Sequence, residues 1–340
     1  MKLFSGTSNI PLTEKIAANV SQPVGAVVIK KFADGENYVE LLHSARGEDV
    51  ALIQSFSKPS DDAVMETLLD LIKSLARSVD KAVVKKLMTL IQSLPKPVND
   101  TVMETLLMLD ALKRNGAKRI TLVAPYLGYS RQDRRAGDSR SPISAKLLAD
   151  MLQVAGVNQI ITADVHNLAI EGFYNIPFMN ASTAELFAND ICARNHIENA
   201  VIVIPDAGGS ARARSVAKRL DADVVLIDKR REHANKIESM RLVGDVRHRD
   251  AILVDDIIDT GGTLMNGAAL LLDKGAQSVR VYASHGLFSG DALEKIDSSA
   301  ISEVVVTDSI NNPNLENAPK IRQVSMAQLL TNTIRRSVER

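Results

Sequence analysis

Short apolar, often β-branched runs alternate along this chain with longer segments in which apolar residues recur every third or fourth position. The runs fall at residues 25–30, 50–54, 120–124, 159–163, 200–204, 224–227, 251–254 and 279–283. Amphipathic segments at 144–154, 211–220 and 264–272 lie among them, and a last one occupies 327–340. Short continuous runs bounded by turn residues read as buried strands and the longer periodic segments as helices. Their alternation is the βαβ rhythm of a mostly parallel sheet, so the expected fold is α/β. A chain of 340 residues has room for two such units. The rhythm lapses at Tyr174-Asn-Ile-Pro-Phe-Met-Asn180, where neither helix nor strand is clear and a hinge is expected. The reading is an N-terminal domain over 1–177, a C-terminal domain over 178–324, and a final helix over 325–340 that folds back on the first domain.

One stretch of the pattern occurs twice. Leu52-Ile-Gln-Ser-Phe-Ser-Lys-Pro-Ser-Asp-Asp-Ala-Val-Met-Glu-Thr-Leu-Leu69 returns 38 residues later as Leu90-Ile-Gln-Ser-Leu-Pro-Lys-Pro-Val-Asn-Asp-Thr-Val-Met-Glu-Thr-Leu-Leu107, with 13 of 18 positions identical. Two copies do not make a solenoid, so a tandem duplication is the better account. Val64, Leu68, Ile72, Leu75, Val79, Val83, Leu87 and Ile91 keep helical spacing between the copies. The second copy leads directly into Asn115-Gly116 and the run at Ile120. The expectation is that the first Leu-Ile-Gln-Ser forms a sheet strand and the second Val-Met-Glu-Thr-Leu-Leu the helix packed on it. A helical insert near 61–93 would be left between them.

The densest chemistry lies in Ile252-Leu-Val-Asp-Asp-Ile-Ile-Asp-Thr-Gly-Gly-Thr263. Gly261 and Gly262 lack Cβ atoms, so their backbone N–H groups can close round an anion. Thr260 and Thr263 add hydroxyl donors, and the helix expected to follow turns its positive end to the same place. A phosphate fits over Thr260 to Thr263. Asp255 and Asp256 would repel a phosphate but accept well from vicinal hydroxyls, or face a metal ion. A phosphorylated sugar satisfies both halves, whereas a helix cap alone needs one acid and not three.

Other candidates stand at other strand ends, where open α/β sheets bind ligands. Arg131-Gln132-Asp133 offers a planar cation suited to phosphate and an amide that can read a base edge. Asp164 and His166, two apart, would lie on one side of an extended chain. Pro205-Asp206-Ala-Gly-Gly209 repeats the acid and double-glycine arrangement. From Asp228-Lys-Arg-Arg231 to Met240 no apolar period is present, so a loop carrying Lys229 and Arg231 is expected to close over a polyphosphate. Phe32-Ala-Asp34-Gly-Glu36 reads by itself as a hairpin turn.

Charge and composition narrow the field. Lys plus Arg and Asp plus Glu both number 41, so no global field draws nucleic acid or an anionic membrane, and any anion site is local. Cys192 is the only cysteine, which excludes a disulfide framework and reads as a small buried hydrophobe in a reducing compartment. No membrane-span pattern is present, and the expected location is the cytoplasm. There is no Walker motif and no kinase glycine-rich set, so any nucleotide binds by another route.

Taken in order, Phe32–Glu36, Arg131–Asp133, Asp164-Val-His166, Pro205-Asp206, Asp228–Arg231 and Asp255–Thr263 resemble the ribose-phosphate pyrophosphokinases, or phosphoribosyl-pyrophosphate synthetases. The resemblance runs from Lys2-Leu-Phe to the last helix, broken only by the duplication. It implies two similar domains of type I phosphoribosyltransferase kind. The implied activity is transfer of pyrophosphate from MgATP to the C1 hydroxyl of ribose 5-phosphate, giving phosphoribosyl pyrophosphate and AMP. It assigns the nucleotide to Phe32, Asp34 and Glu36 from a neighbouring subunit, with Arg131, Gln132 and His166. Mg²⁺ would go to His166 and Asp206. The ribose would go to Asp255 and Asp256, its 5-phosphate to Asp259, Thr260, Gly261, Gly262 and Thr263, and the moving diphosphate to Lys229 and Arg231. The implied assembly is a homo-oligomer built from dimers, up to a hexamer. Ala169 stands where the family usually has glutamine, and Met179 near a usual acid. A phosphoribosyltransferase would need the loop at Asp255 but not Arg131-Gln-Asp133. A non-catalytic regulatory paralogue would have lost Lys229, Arg231 or His166, and all three are present.

Overall fold

The chain's alternation of apolar runs and amphipathic segments builds two parallel-dominated sheets in the computed structural model, which describes residues 1–57, 98–135, 140–194, 199–205, 210–230 and 239–338. The first sheet has six strands. In chain order its part of the molecule comprises β1 (Lys2–Ser5), α1 (Ile10–Val20), β2 (Val24–Gly25), the hairpin β3 (Val27–Lys31) and β4 (Asn37–Leu41), and β5 (Asp49–Ile53). It continues with α2 (Val98–Arg114), β6 (Arg119–Ala124), α3 (Ser144–Ala155), β7 (Gln159–Ala163) and β8 (Phe178–Ala181). The sheet order is β2-β1-β5-β6-β7-β8, parallel throughout, with the antiparallel hairpin β3–β4 standing apart.

The second sheet follows. It contains α4 (Ala184–Ala193), β9 (Ala200–Ile204), α5 (Ser210–Leu220), β10 (Asp223–Arg230), β11 (Ser239–Val243), β12 (Asp250–Ile258), α6 (Gly262–Asp273), β13 (Ser278–Gly286), α7 (Ala292–Ser298), β14 (Glu303–Thr307) and β15 (Ile321–Val324). Its order is β11-β10-β9-β12-β13-β14-β15, and only β10–β11 is antiparallel. The α/β expectation is met, and the nearly all-apolar strands at 200–204 and 251–254 are buried on both faces as parallel strands must be. α8 (Ala327–Val338) returns to the first sheet, where Leu330 and Ile334 share a core with Leu12, Ile16 and Ile53.

Three expectations need correction. The boundary expected at 177/178 falls one strand early: Phe178–Ala181 pairs with β7 as the edge of the first sheet, and the chain passes to the second domain only before α4. The proline at 177 precedes that strand rather than interrupting it, so no hinge is needed at 174–180. Cys192 is exposed, because the inward positions of α4 are 184, 187, 188 and 191.

The duplicated segment divides between two roles. Leu52 and Ile53 of the first copy lie in β5, while Val102, Met108, Leu109 and Leu112, in or just beyond the second, are buried in α2 on the same sheet. One buried cluster joins the copies: Gln54 Nε2 donates to Glu104 Oε1 at 2.8 Å, and Thr7 donates to Glu104 through its N–H at 2.7 Å and its hydroxyl at 2.8 Å. The expected insert at 61–93 lies outside the described residues. Because one strand and one helix satisfy the sheet, removing residues 62–99, one 38-residue unit, is expected to leave a folded chain. Its melting temperature should be no lower than that of the full chain. Calorimetry checks this, and loss of a cooperative transition would overturn the division of roles.

Candidate active site

Strand order locates the cleft. In the second sheet β9 and β12 are neighbours whose crossovers run in opposite directions, and such a switch point opens a crevice beyond the strand ends. β12 does not stop at Val254, as its apolar run ends, but continues to Ile258 beside β13. Asp255 and Asp256 are therefore strand residues, and alternation sends them to opposite faces. Asp255 is half-buried and Asp256 buried.

The turn 259–261 then leads into α6, whose first residues are Gly262 and Thr263. Gly261 has φ 75° in the left-handed region, where a side chain would be strained, and its carbonyl accepts from Met265 N–H at 3.0 Å. Thr260, Gly262 and Thr263 are exposed round the helix start. The first-turn N–H groups of a helix lack intrahelical partners, so the exposed start of α6 carries N–H groups and hydroxyls of the kind that can receive an anion.

Facing this loop from the first domain is the segment after β6. Arg131 Nη1 lies 2.7 Å from Asp259 Oδ2, an exposed pair joining a residue expected on the nucleotide to one expected on the 5-phosphate. Gln132 accepts from the Ser144 hydroxyl, and Asp133 accepts from Asn167 Nδ2 at 2.5 Å. These contacts hold the segment over the cleft.

His166 and Asp164 do not share one side of an extended chain. Asp164 has φ 36°, which turns the backbone just past β7 and separates the two side chains. Asp164 points inward, where its Oδ2 accepts from Thr183 N–H at 3.2 Å, the Thr183 hydroxyl at 2.5 Å and the Ser284 hydroxyl at 2.6 Å. His166 points into the cleft with its Nδ1 2.6 Å from Asp256 Oδ2. That hydrogen bond raises the imidazole pKa despite partial burial. Burial alone would raise the Asp256 carboxyl, but the His166 hydrogen bond and the Arg212 charge outweigh it and hold it well below the usual carboxylate range.

Lys229 lies in β10, opposite Met240 of β11, rather than in a loop. Asp206 and Arg231 lie outside the described residues. Phe32, Asp34 and Glu36 sit exposed at the tip of the β3–β4 hairpin, with Gly35 at φ 93° closing the turn. Phe32 packs edge-on against Tyr38, the tip is tied by Phe32 N–H to the Glu36 carbonyl at 2.8 Å, and the hairpin rests on α2 through the Lys31–Asp100 pair at 2.7 Å. An adenine contact from this tip would be made by an aromatic ring that is 51 % exposed in the single chain.

Three site neighbours were not picked out from the sequence. Arg212, in the first turn of α5, is 11 % exposed and lies 3.5 Å from Asp164 and 3.9 Å from Asp256. His285 is fully buried on β13, with Nε2 donating to the Ala163 carbonyl at 3.0 Å and Nδ1 2.9 Å from the Ser309 hydroxyl, and burial pushes its pKa down. Tyr126 packs on His285 at 5.0 Å between ring centroids, and burial pushes its phenol up to about 12. Arg212 was hidden in an Ala-Arg-Ala-Arg helix whose composition reads as a solvated surface. Its position one turn after the double glycine was the available signal.

The donor set suits a hard divalent cation. Asp256 occupies Nδ1 of His166 and leaves Nε2 directed away from it, while the nearby oxygens are carboxylates. Mg²⁺ keeps several waters and takes one or two protein ligands plus substrate phosphates, so a closed cage is not required.

Comparison with known proteins follows the same geography. A sequence profile for the N-terminal domain of ribose phosphate pyrophosphokinase matches twice, over residues 1–85 and 73–156, the two matches meeting inside the duplicated region. A profile for a phosphoribosyl synthetase-associated domain matches residues 231–340. A ribose-phosphate pyrophosphokinase of Granulibacter bethesdensis is 43 % identical over 337 residues, 99 % of this chain and 96 % of that one. Its counterpart in Agrobacterium fabrum is 42 % identical over 340 residues, 100 % and 97 %. The crystal structure of phosphoribosylpyrophosphate synthetase from Mycobacterium smegmatis superimposes with a TM-score of 0.82 at 33 % identity, covering 99 % and 98 % of the two chains.

Proposed function

The chain belongs to the ribose-phosphate pyrophosphokinase family and has its activity, pyrophosphate transfer from ATP to ribose 5-phosphate, and we propose how its residues divide that reaction. The observation that carries the division is the Arg131–Asp259 pair at 2.7 Å, which sets a cationic nucleotide-type segment of one domain directly against the anion loop of the other.

Ribose 5-phosphate enters with its phosphate on Asp259, Thr260, Gly261, Gly262 and Thr263. The loop's N–H groups and hydroxyls hold the phosphate, and Asp255 accepts from the ring hydroxyls. Asp256 is committed to His166, so its share of the ribose is through the oxygen that does not meet the imidazole. ATP lies along Arg131 and Gln132, with Phe32, Asp34 and Glu36 of a neighbouring subunit closing on the adenine. The C1 oxygen attacks the β-phosphorus, the bond from that phosphorus to the α,β-bridging oxygen breaks, AMP leaves, and the hydroxyl proton passes to solvent or phosphate. Such a transfer gains mainly from in-line placement and charge neutralisation. Mg²⁺ on His166 and Asp206 supplies part of that charge when bound. Lys229 and Arg231 supply the rest as it moves. The working form is a cytoplasmic homo-oligomer.

Incubation with Mg²⁺, ATP and ribose 5-phosphate is expected to release AMP and phosphoribosyl pyrophosphate in equal amounts. Absence of AMP from a well-folded oligomer would favour the regulatory-paralogue reading. Phe32→Ala removes a stacking surface and is expected to raise the KM for ATP about tenfold with little change for ribose 5-phosphate. An unchanged ATP KM would remove the hairpin tip from the nucleotide site.

A further inference from the structure

We propose that Arg212 is a positioning residue of this active site, acting through Asp256 to fix the ring of His166. The proposal rests on the reading that His166 presents a ring nitrogen to the metal–nucleotide side of the cleft.

Asp164 and Asp256 come from different domains and lie on either side of Arg212, whose side chain is 11 % exposed while theirs are 6 % and 9 %. Arg212 Nε lies 3.5 Å from Asp164 Oδ2, an ion pair without a hydrogen bond, because that oxygen already accepts from Thr183 N–H, the Thr183 hydroxyl and the Ser284 hydroxyl. Correspondingly, Arg212 Nε has no hydrogen-bond partner although it is buried. The guanidinium spans both acids, and its Nη1 end forms a longer ion pair with Asp256 Oδ1 at 3.9 Å, close enough for its charge to act on that carboxylate. The other oxygen of that carboxylate, Oδ2, is the one 2.6 Å from His166 Nδ1. Asp256 N–H further donates to Asp255 Oδ1 at 2.9 Å, so the carboxylate's backbone is tied as well.

A carboxylate hydrogen-bonded at one oxygen with a cation beside the other has a favoured orientation and stays ionised, and an imidazole that donates Nδ1–H to it keeps its lone pair on Nε2. Arg212 thus stands at the far end of a chain, guanidinium to carboxylate to imidazole, and touches no reacting atom. Arg212 lies in the first turn of α5.

Arg212→Gln tests this, with the His166 tautomer read by ¹⁵N–¹H imidazole correlations on the metal-free protein at a pH where the ring is neutral. The expected result is a mixed tautomer population where the unaltered protein shows Nδ1–H alone. It should come with a kcat about 10–100-fold lower and a KM for ribose 5-phosphate within about threefold. Arg212→Lys should restore part of both. A tautomer ratio and kcat equal to those of the unaltered protein overturn the proposal. Should Arg212→Gln fail to fold, Arg212→Lys decides alone: it keeps the charge but loses the planar fork, so an unchanged ratio and kcat overturn the proposal equally. His166→Ala separates the two levels of argument. If that variant keeps full turnover, the reading of His166 fails. If it is inactive while Arg212→Gln changes neither readout, only the positioning role fails.

Discussion

Lys229→Ala is expected to lower kcat about 10³-fold, close to 4 kcal/mol of transition-state stabilisation, while the KM for ribose 5-phosphate moves less than about threefold. The reason is where charge develops. As the diphosphate passes between oxygens, negative charge spreads over its non-bridging oxygens, and an ammonium placed there binds the transition state more strongly than either substrate. In the division proposed above, ribose 5-phosphate is held by the loop after β12, to which Lys229 does not belong. Lys229 is in β10 opposite Met240, one residue before the chain leaves that ladder, so its backbone has a defined strand position. Steady-state AMP release across both substrate ranges makes the measurement. A kcat within twofold of the parent would take Lys229 out of the mechanism. A rise confined to KM would make it a binding residue only.

The second large effect concerns stability. Glu104→Ala is expected to cost about 3 kcal/mol, because it leaves the Gln54 amide and the Thr7 N–H without an acceptor in a buried setting. For a chain of this size that is a fall in melting temperature of roughly 4 °C. Glu66 occupies the corresponding place in the first copy, with the same Val-Met before it and Thr-Leu-Leu after it. Its replacement by alanine is expected to leave the melting temperature unchanged. Equal losses at the two glutamates would mean that both copies carry the sheet, against the division in which strand and helix come from different copies.

Much of the fold was legible because parallel strands advertise themselves. The runs at 159–163 and 200–204 coincide with β7 and β9, since a strand buried on both faces has no polar positions to blur its ends. Strands that outrun their apolar stretch were under-read: β12 carries Asp255 and Asp256 inside the ladder, where two carboxylates looked like the start of a loop. β8 was missed because Pro177 and Asn180 imitate a turn, although the proline precedes the strand and the edge tolerates it. In the site, the turn of glycines and threonines leading into a helix was readable from residue type alone. The partners of His166 were not. Asp256 is 90 residues away in sequence and Arg212 sits in a polar helix, so only the folded chain brings carboxylate, imidazole and guanidinium together.

The two sheets have alike crevices that met different fates. In the first, β1 and β5 flank the switch point, and Gln54 fills it so closely that a Cβ on Gly6 would come within 2.3 Å of the Gln54 side chain. Around it Ser55 and Asn9 donate to the Ser309 carbonyl at 2.6 and 3.1 Å, and His285 reaches the Ala163 carbonyl from the other domain. The crevice of the first sheet is thus filled by buried polar contacts that join the halves. Swinging them apart would strand several buried donors and acceptors at once, each costing about 1–3 kcal/mol. The amide protons at Ser55 and Thr183 should therefore trade with solvent only when the whole molecule unfolds.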